Sequence, residues 1–293
     1  MRHVGMIGLG LLGGAVAGRL LKAGIAVTGY DVRPEVVEPL ARQGLTPAGD
    51  VAATVRDVDA VFVILPSLEA VEQVVRGPKG VLDSMRPDAV VLQMSTISPP
   101  LTRSLGEAAA ARGVAFLDTP MSGTASMVAK GDCTIFVGGD AALAGRCRPV
   151  FEAIAKRFVH VGAVGDACLA KLATNLLVGL NTVAVAEALV LGTKGGLDPA
   201  RLLDVLRQSA AGSRMLEIRG PLMVERRFEP QMKSELFLKD FHLMLEEGRR
   251  LGVALPLTGL AEQLCTATVA AGRGGEDIAA IITTIERLAG MGD

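Results

Sequence analysis

The sequence has little of what nucleic-acid binding requires. Its 293 residues include no tryptophan and one tyrosine, and the 30 basic residues are balanced by 31 acidic ones, for a net charge of −1. Proteins that bind nucleic acid concentrate positive charge and often stack aromatic rings on the bases. We therefore expect no nucleic-acid partner.

Cysteine and histidine are scarce as well. The four cysteines are Cys133, Cys147, Cys168 and Cys265, and the three histidines are His3, His160 and His242. No two cysteines form a CxxC pair, and the histidines are equally scattered, so neither set has the spacing of metal ligands. Cysteines in apolar runs are typical of reduced core residues. The pattern predicts a cytoplasmic protein without disulfides or a metal site.

Long uncharged runs are also missing, although one segment comes close. Leu169–Thr193 is long enough to cross a membrane. Its polar residues are Lys171, Asn175, Asn181 and Glu187. Each of these is costly in lipid, which favours a buried core helix and no membrane. Met1–Gly18 begins like a secretory signal, but another motif accounts better for its glycines.

Hydrophobic patterning divides the chain in two. Short β-branched runs alternate with helical patterns up to about Gly162, which is typical of βαβ units. The predicted strands are His3–Ile7, Ala26–Tyr30, Ala60–Leu65, Ala89–Gln93, Val114–Asp118, Thr134–Val137 and Phe158–Val161. Only helical patterns follow, over Ala167–Lys194, Pro199–Ser209, Glu235–Arg250, Thr258–Ala271 and Ile278–Ala289. We predict an α/β fold, with a Rossmann-type doubly wound parallel sheet over residues 1–163 and a long helix leading into an all-α domain over residues 164–293.

A glycine-rich motif lies between the first predicted strand and the first helix. It consists of Gly8, Leu9, Gly10, Leu11, Leu12 and Gly13. In such loops the first glycine allows a tight turn, the second lets the backbone approach a pyrophosphate, and the third lets strand and helix pack closely. The N–H groups at the helix start attract phosphates. The motif predicts binding of NAD or NADP.

Asp31 ends the second predicted strand. A carboxylate there would accept hydrogen bonds from the adenine ribose and repel the additional phosphate of NADP, which favours NAD. NADP stays open because the guanidinium of Arg33, two residues on, could bind that phosphate. Both side chains could also be ordinary solvated turn residues.

Lys171 and Asn175 lie four residues apart in the long apolar helix, and Thr182 falls on the same face. A helix that is apolar on nearly all sides is buried, so this polar stripe could line a cleft between two domains. Burial lowers the pKa of a lysine, which would let Lys171 accept a proton near neutral pH. On spacing alone, a lysine that reaches the surface or pairs with a carboxylate is the commoner explanation.

Several segments, in order along nearly the whole chain, resemble the β-hydroxyacid dehydrogenase family, which includes 3-hydroxyisobutyrate dehydrogenase and tartronate semialdehyde reductase. Ile7–Gly24 is similar to the family's cofactor motif. The loop that contains Leu65 and Pro66 looks like the one that lies against the cofactor. Ser95–Pro99 looks like the segment whose threonine, Thr96, approaches the nicotinamide.

The same resemblance covers the substrate side. Asp118–Thr124 is similar to the family's substrate-binding loop, in which Ser122 and the backbone of Gly123 would hold the substrate carboxylate. Thr124 stands where the family has glycine, so its side chain would narrow the pocket or add a hydroxyl to it.

Three further segments carry the likeness toward the end of the chain. Lys171–Asn175 resembles the catalytic motif, with Lys171 as general acid/base and Asn175 orienting the substrate. Lys239–Phe241 resembles the motif whose lysine, Lys239, reaches the cofactor. Gly272–Asp277 is similar to the family's closing motif.

The resemblance implies an oxidoreductase that transfers a hydride between NAD(P) and a small 3-hydroxy or 2-hydroxy acid, or reduces the matching semialdehyde. Thr96 would help Ser122 and Gly123 to fix the substrate. It also implies a homodimer or homotetramer. Two alternatives stay open, a non-catalytic cofactor-binding scaffold and an imine reductase of the same fold. Imine reductases lack a lysine at this position, so Lys171 argues against the second.

Overall fold

The computed structural model describes residues 1–292 and separates into two compact units, Met1–Lys171 and Leu172–Asp293. The first unit is built on a sheet with helices on both of its faces. Its strands are β1 (His3–Ile7), β2 (Ala26–Tyr30), β3 (Thr46–Pro47), β4 (Ala60–Val63), β5 (Val90–Gln93), β6 (Ala115–Asp118), β7 (Met121–Ser122), β8 (Thr134–Gly138) and β9 (Arg157–Gly162). Its helices are α1 (Leu11–Lys22), α2 (Pro34–Ala41), α3 (Val51–Val55), α4 (Leu68–Arg76), α5 (Val81–Ser84), α6 (Pro99–Ala110), α7 (Ala125–Ala129) and α8 (Ala141–Ile154).

The strand order is β3-β2-β1-β4-β5-β6-β8-β7, with β9 beside β8. The strands from β3 to β6 are parallel, and so are β8 and β9. β8 is antiparallel to both β6 and β7. β4 and β5 are buried along their whole length, as expected for strands covered on both faces. The predicted Rossmann-type sheet is confirmed, with β8 running against β6 as the exception to its parallel order.

Two apolar cores cover the two faces of this sheet. One contains Val16 and Leu20 of α1 and Phe151 of α8. The other contains Val71 of α4 and Leu105 of α6. Successive parallel strands can be joined only by crossover connections, and placing these helices on both faces buries the sheet.

The chain passes from the first unit into the second along α9 (Asp166–Lys194), a helix of 29 residues. The second unit continues with α10 (Pro199–Gln208), α11 (Arg214–Val224), α12 (Ser234–Leu251), α13 (Pro256–Thr268) and α14 (Ile281–Leu288). Its described part contains helices and no named strand, as the sequence predicted. Gly179 of α9 lets α12 come close, since a Cβ there would lie 2.6 Å from the ring of Phe241.

Helix α9 is the one helix within residues 1–292 whose length and composition would suit a membrane span. Of its most apolar 18-residue window, 39% is buried inside the protein. Core helices of soluble proteins meet the same criterion, so the composition of α9 is weak evidence for a membrane.

Candidate active site

The predicted binding loops of the first unit follow the carboxyl ends of neighbouring strands, on one side of the sheet. In the strand register, Ile7 pairs with Tyr30 and with Val63, and Gln93 pairs with Val63 and with Asp118. Because these neighbouring strands are parallel, the loops after them begin side by side. The arrangement groups the glycine motif, Asp31, the Leu65–Pro66 loop, Thr96 and the substrate loop.

The glycine motif has the close packing that its sequence predicted. Gly8 has φ +90°, and a Cβ there would lie 2.0 Å from the carbonyl oxygen of Ile64. A Cβ at Gly13 would lie 2.0 Å from the carbonyl oxygen of Gly8. Gly10 precedes α1, and no side chain caps the N–H groups at its start. This backbone fits a dinucleotide, because uncapped N–H groups at a helix start bind phosphate.

Both carboxylate oxygens of Asp31 accept hydrogen bonds from the backbone. Its Oδ2 accepts a hydrogen bond from the N–H of Leu9 at 2.8 Å, and its Oδ1 accepts from the N–H of Arg33 at 3.0 Å. The Arg33 guanidinium also donates to both carboxylate oxygens. Burial alone would raise the pKa of Asp31, but these hydrogen bonds lower it below its usual value. A charged carboxylate therefore stands beside the glycine motif, already paired with the arginine.

A buried polar cluster that the sequence analysis missed ties the loops after β4 and β5 together. The Ser95 hydroxyl accepts from the N–H of Leu65 at 2.9 Å and donates to the carbonyl of Val63 at 3.2 Å. The Gln93 amide hydrogen-bonds the backbone of Ser95 in both directions, at 2.6 and 3.0 Å. The carbonyl of Gln93 accepts from the N–H of Thr119 at 2.7 Å. Three adjacent loops are thus fixed by two side chains and one carbonyl.

The substrate loop continues from β6 into the short strand β7. Ser122 and Gly123 are half-buried. The Thr124 hydroxyl accepts from the N–H of Met127 at 3.4 Å and lies 3.0 Å from the Ser126 hydroxyl. Thr124 therefore caps the following helical turn, and part of the hydrogen-bonding capacity of its hydroxyl is used within the loop.

Lys171 lies in the second turn of α9 and is 7% exposed. The start of this helix is attached to the end of β6, because Oδ2 of Asp118 accepts hydrogen bonds from the N–H groups of Gly165 and Cys168. Burial raises the pKa of Asp118 to about 6, although hydrogen bonds from Cys168 and Gly165 oppose the rise.

The second unit holds the other predicted site residues on α9 and α12. Asn175 is 2% exposed and donates from Nδ2 to Oδ2 of Asp240 at 2.7 Å. Lys239 was expected to reach the cofactor, and its Nζ lies 3.2 Å from Oδ1 of Asp240. The Thr182 hydroxyl donates to the carbonyl of Val178 in its own helix. Asp240 thus fixes the Asn175 amide, a contact that the sequence analysis missed.

Within residues 1–292, no group of three or more histidine, cysteine or acidic side chains could hold a metal ion. The four cysteines are free and buried. Burial raises the pKa of Cys133 and Cys147 to about 11 and that of Cys265 to about 12, so these thiols are protonated near neutral pH.

Comparison with known proteins accounts for both halves of the chain. Residues 3–162 match the NAD-binding domain of 6-phosphogluconate dehydrogenase, and residues 165–285 match the NAD-binding model of NADP-dependent 3-hydroxyisobutyrate dehydrogenase. L-Threonate dehydrogenase of Cupriavidus necator is 35% identical over 96% of this chain and 95% of its own. 3-Hydroxyisobutyrate dehydrogenase of Pseudomonas aeruginosa is 34% identical over 90% of this chain and 91% of its own.

The structural comparison agrees. The crystal structure of 3-hydroxyisobutyrate dehydrogenase from Salmonella typhimurium has a TM-score of 0.89 and 30% identity, and the match covers 97% of this chain and 99% of that one. The matches extend over both units and include the glycine motif and the segment around Lys171. The chain belongs to the β-hydroxyacid dehydrogenase family and is an NAD(P)-dependent hydroxy-acid dehydrogenase.

Proposed function

We propose that the protein oxidises a small 3-hydroxy or 2-hydroxy acid, or reduces the matching semialdehyde, with Lys171 as general acid/base. The burial of Lys171 carries the proposal, because lysine side chains are seldom this buried without a specific use or partner. Asn175 lies one turn further along α9 and is buried too. An amine and an amide on one face of a helix match the needs of a substrate that carries a hydroxyl and a carboxylate.

Each residue has a defined task in this proposal. During oxidation the Lys171 amine accepts the proton of the substrate hydroxyl as hydride leaves the same carbon, and in reduction the ammonium returns the proton. The bound nicotinamide supplies the hydride acceptor or donor. Ser122, the N–H of Gly123 and Thr96 hold the substrate carboxylate, which places the reacting carbon beside the amine. Asp240 keeps the Asn175 amide in one orientation for substrate binding.

The cofactor contacts and the state of assembly belong to the same proposal. Asp31 lies beside the glycine motif, where its charge favours the adenine ribose of NAD over the phosphate of NADP. Leu65, Pro66 and Lys239 complete the cofactor contacts. The working form is a homodimer or homotetramer.

The test is the Lys171→Ala variant. Turnover should fall by about two to four orders of magnitude, because that is what general acid/base catalysis typically contributes to a rate. The affinity for NAD should change by less than about threefold. Lys194→Ala is the matched control, since Lys194 is an exposed lysine at the other end of the same helix. Steady-state kinetics and cofactor titration measure both effects. Full turnover in Lys171→Ala would remove this residue from the mechanism.

A substrate panel separates the alternatives. The candidates are L-threonate, 3-hydroxyisobutyrate, 2-(hydroxymethyl)glutarate and L-serine for oxidation, and 2-hydroxy-3-oxopropionate for reduction, following the names of the relatives. Nicotinamide absorbance with at least one of them should report turnover that depends on Lys171. Turnover only with cyclic imines would indicate an imine reductase, and cofactor binding without any turnover would indicate a scaffold.

A further inference from the structure

Asp118 connects the strand that precedes the substrate loop with the helix that carries Lys171. We propose that Asp118 is a positioning residue, which fixes Lys171 beside the Ser122–Gly123 loop by anchoring the start of α9. This inference rests on the proposed role of Lys171 and adds a residue whose own side chain need not touch the substrate.

The hydrogen bonds of Asp118 go to the helix start. Its Oδ2 accepts from the N–H of Gly165 at 3.1 Å and from the N–H of Cys168 at 2.9 Å. The first N–H groups of a helix have no partner within the helix itself, so a carboxylate that accepts them stabilises the first turn. Lys171 follows Cys168 by three residues, which corresponds to a rise of about 4.5 Å. A shift of the first turn would therefore shift the amine as well.

The other end of the connection is covalent. Asp118 is the last residue of β6, where it pairs with Gln93 of β5 and Gly138 of β8. Ser122 follows four residues later in the chain. One side chain thus sets the position of the helix that supplies the proposed acid/base relative to the loop that is proposed to hold the substrate carboxylate.

The burial of Asp118 is costly, which argues for a functional rather than a purely structural role. The side chain is completely buried, and among residues 1–292 its Oδ1 has no hydrogen-bond partner. Glycine is required opposite, because a Cβ at Gly138 would lie 2.3 Å from Oδ1. A buried carboxylate with one unpaired oxygen destabilises a fold, and such groups are typically retained where function needs them.

Among the described residues, the groups around Asp118 include N–H groups, a thiol and a second carboxylate. From α9 it faces Asp166, whose charge raises the pKa of Asp118, and the thiol of Cys168. From α6, the Thr102 hydroxyl donates to that thiol at 3.2 Å. Arg103 of α6 pairs with Asp166 at 3.6 Å rather than with Asp118. The described partners of the carboxylate are therefore the N–H groups of Gly165 and Cys168 and the thiol of Cys168, all at the start of α9.

The experiment compares Asp118→Ala with Asp118→Asn, next to Lys171→Ala. Alanine removes the acceptor, whereas asparagine keeps one oxygen that can accept from both N–H groups. We expect kcat to fall about 10- to 100-fold in Asp118→Ala and less than about fivefold in Asp118→Asn, with NAD affinity within about threefold of wild type in both. Asp198→Ala is the matched control, because it removes a carboxylate that accepts from the N–H of Arg201 at the start of another helix, α10, and should leave kcat nearly unchanged.

The readouts separate positioning from folding. A merely structural role would lower the melting temperature, NAD affinity and kcat together, whereas a positioning role lowers kcat alone and is rescued by asparagine. If Asp118→Ala does not fold, Asp118→Val takes its place, because valine fills more of the volume of the aspartate and still removes the acceptor; about a tenfold loss of kcat at unchanged NAD affinity is then expected. Wild-type kcat in the variant used, or equal losses in Asp118→Ala and Asp118→Asn, overturns the inference. Full activity of Lys171→Ala would instead overturn the proposed function, so the two failures are distinguishable.

Discussion

Single side chains at the ends of the parallel strands hold the backbone that would meet cofactor and substrate. Ser95 bridges the ends of β4 and β5 with one hydroxyl, which donates to Val63 and accepts from Leu65. Gln93 then fixes Ser95 through both of its amide atoms. Loops held in this way lose less conformational freedom when a ligand binds, which preserves affinity.

The Asp31–Arg33 pair leads to a prediction about cofactor choice. Arg33→Ala should increase the ratio of kcat/KM for NAD to kcat/KM for NADP by about tenfold or more, because it removes the guanidinium that could bind the NADP phosphate and leaves the repelling carboxylate. Kinetics with both cofactors measure this ratio. Arg42→Ala, which removes an exposed arginine at the end of α2, should leave it unchanged. An unchanged ratio in Arg33→Ala would mean that Arg33 does not contact the cofactor.

At the residue scale, the sequence predicted features that depend on a local motif and missed contacts between residues that are distant in the chain. The glycine motif was predictable because strand, loop and helix are contiguous in the chain. Asp118 was recognised only as part of the substrate loop, because its partners Gly165 and Cys168 lie 47 and 50 residues away. The contact between Asn175 and Asp240 spans 65 residues, and no local pattern reveals it.

Among the elements, helix α11 shows where composition misleads. Gly220 and Pro221 disfavour a helix, and the sequence analysis predicted none between residues 210 and 234. The structure has α11 over Arg214–Val224, with Pro221 inside it. Met215, Leu216 and Met223 are buried there, so tertiary packing outweighs the low helical propensity of two residues. The helix predicted over Thr258–Ala271 differs from the structure at its end. The α-helix stops at Thr268 and a π-helical turn follows, in which Gly272 has φ +84°.

Asp277 connects three segments of the second unit, which leads to a prediction about stability. Its buried carboxylate accepts from the N–H groups of Met232 and Ala279 and from Nε of Arg219, which is 3% exposed. Asp277→Ala would leave that guanidinium buried without its charged partner, so the free energy of unfolding should fall by about 3 to 5 kcal/mol. Urea denaturation of both forms measures the loss.

The control for Asp277 is an acidic residue with a simpler task. Asp198 caps α10 by accepting from the N–H of Arg201 at 2.8 Å, and a capping contact contributes about 1 kcal/mol. Asp198→Ala should therefore cost much less than Asp277→Ala. Equal losses of unfolding free energy in the two variants would contradict the importance assigned to the buried pair of Arg219 and Asp277.

For the whole molecule, the mostly parallel sheet and the all-helical part that follows it were predicted from patterning, because buried parallel strands and amphipathic helices have different periods. The antiparallel strand β8 could not be predicted in this way. Its apolar sequence does not encode its direction, and it pairs antiparallel with β6 and with the short strand β7, from which the chain reaches it through α7.

The pH dependence of stability is also a property of the whole molecule, because groups with opposite shifts add up. Hydrogen bonds that lower the pKa of Asp31 and Asp59 stabilise the fold above about pH 4, and this stabilisation is lost as the pH falls through their folded-state pKa values. Asp118 acts in the opposite sense. Between about pH 4 and 6 the folded carboxyl keeps a proton that the unfolded chain has lost, so stability falls as the pH rises through this window. The buried cysteines have the same effect above about pH 9, where only the unfolded chain ionises.

These signs predict that the wild-type melting temperature falls from pH 5 to pH 7.5 and falls again from pH 9 to pH 10. Asp118→Asn should remove the first decline and keep the second, because it removes a carboxyl group whose ionisation costs up to about 3 kcal/mol in the folded state. Scanning calorimetry of both proteins at the four pH values measures this. At pH 7.5 the variant should melt above the wild type even where its kcat is lower, because it no longer carries a charged carboxylate in a buried position. The same decline between pH 5 and 7.5 in both proteins would show that some other group titrates there.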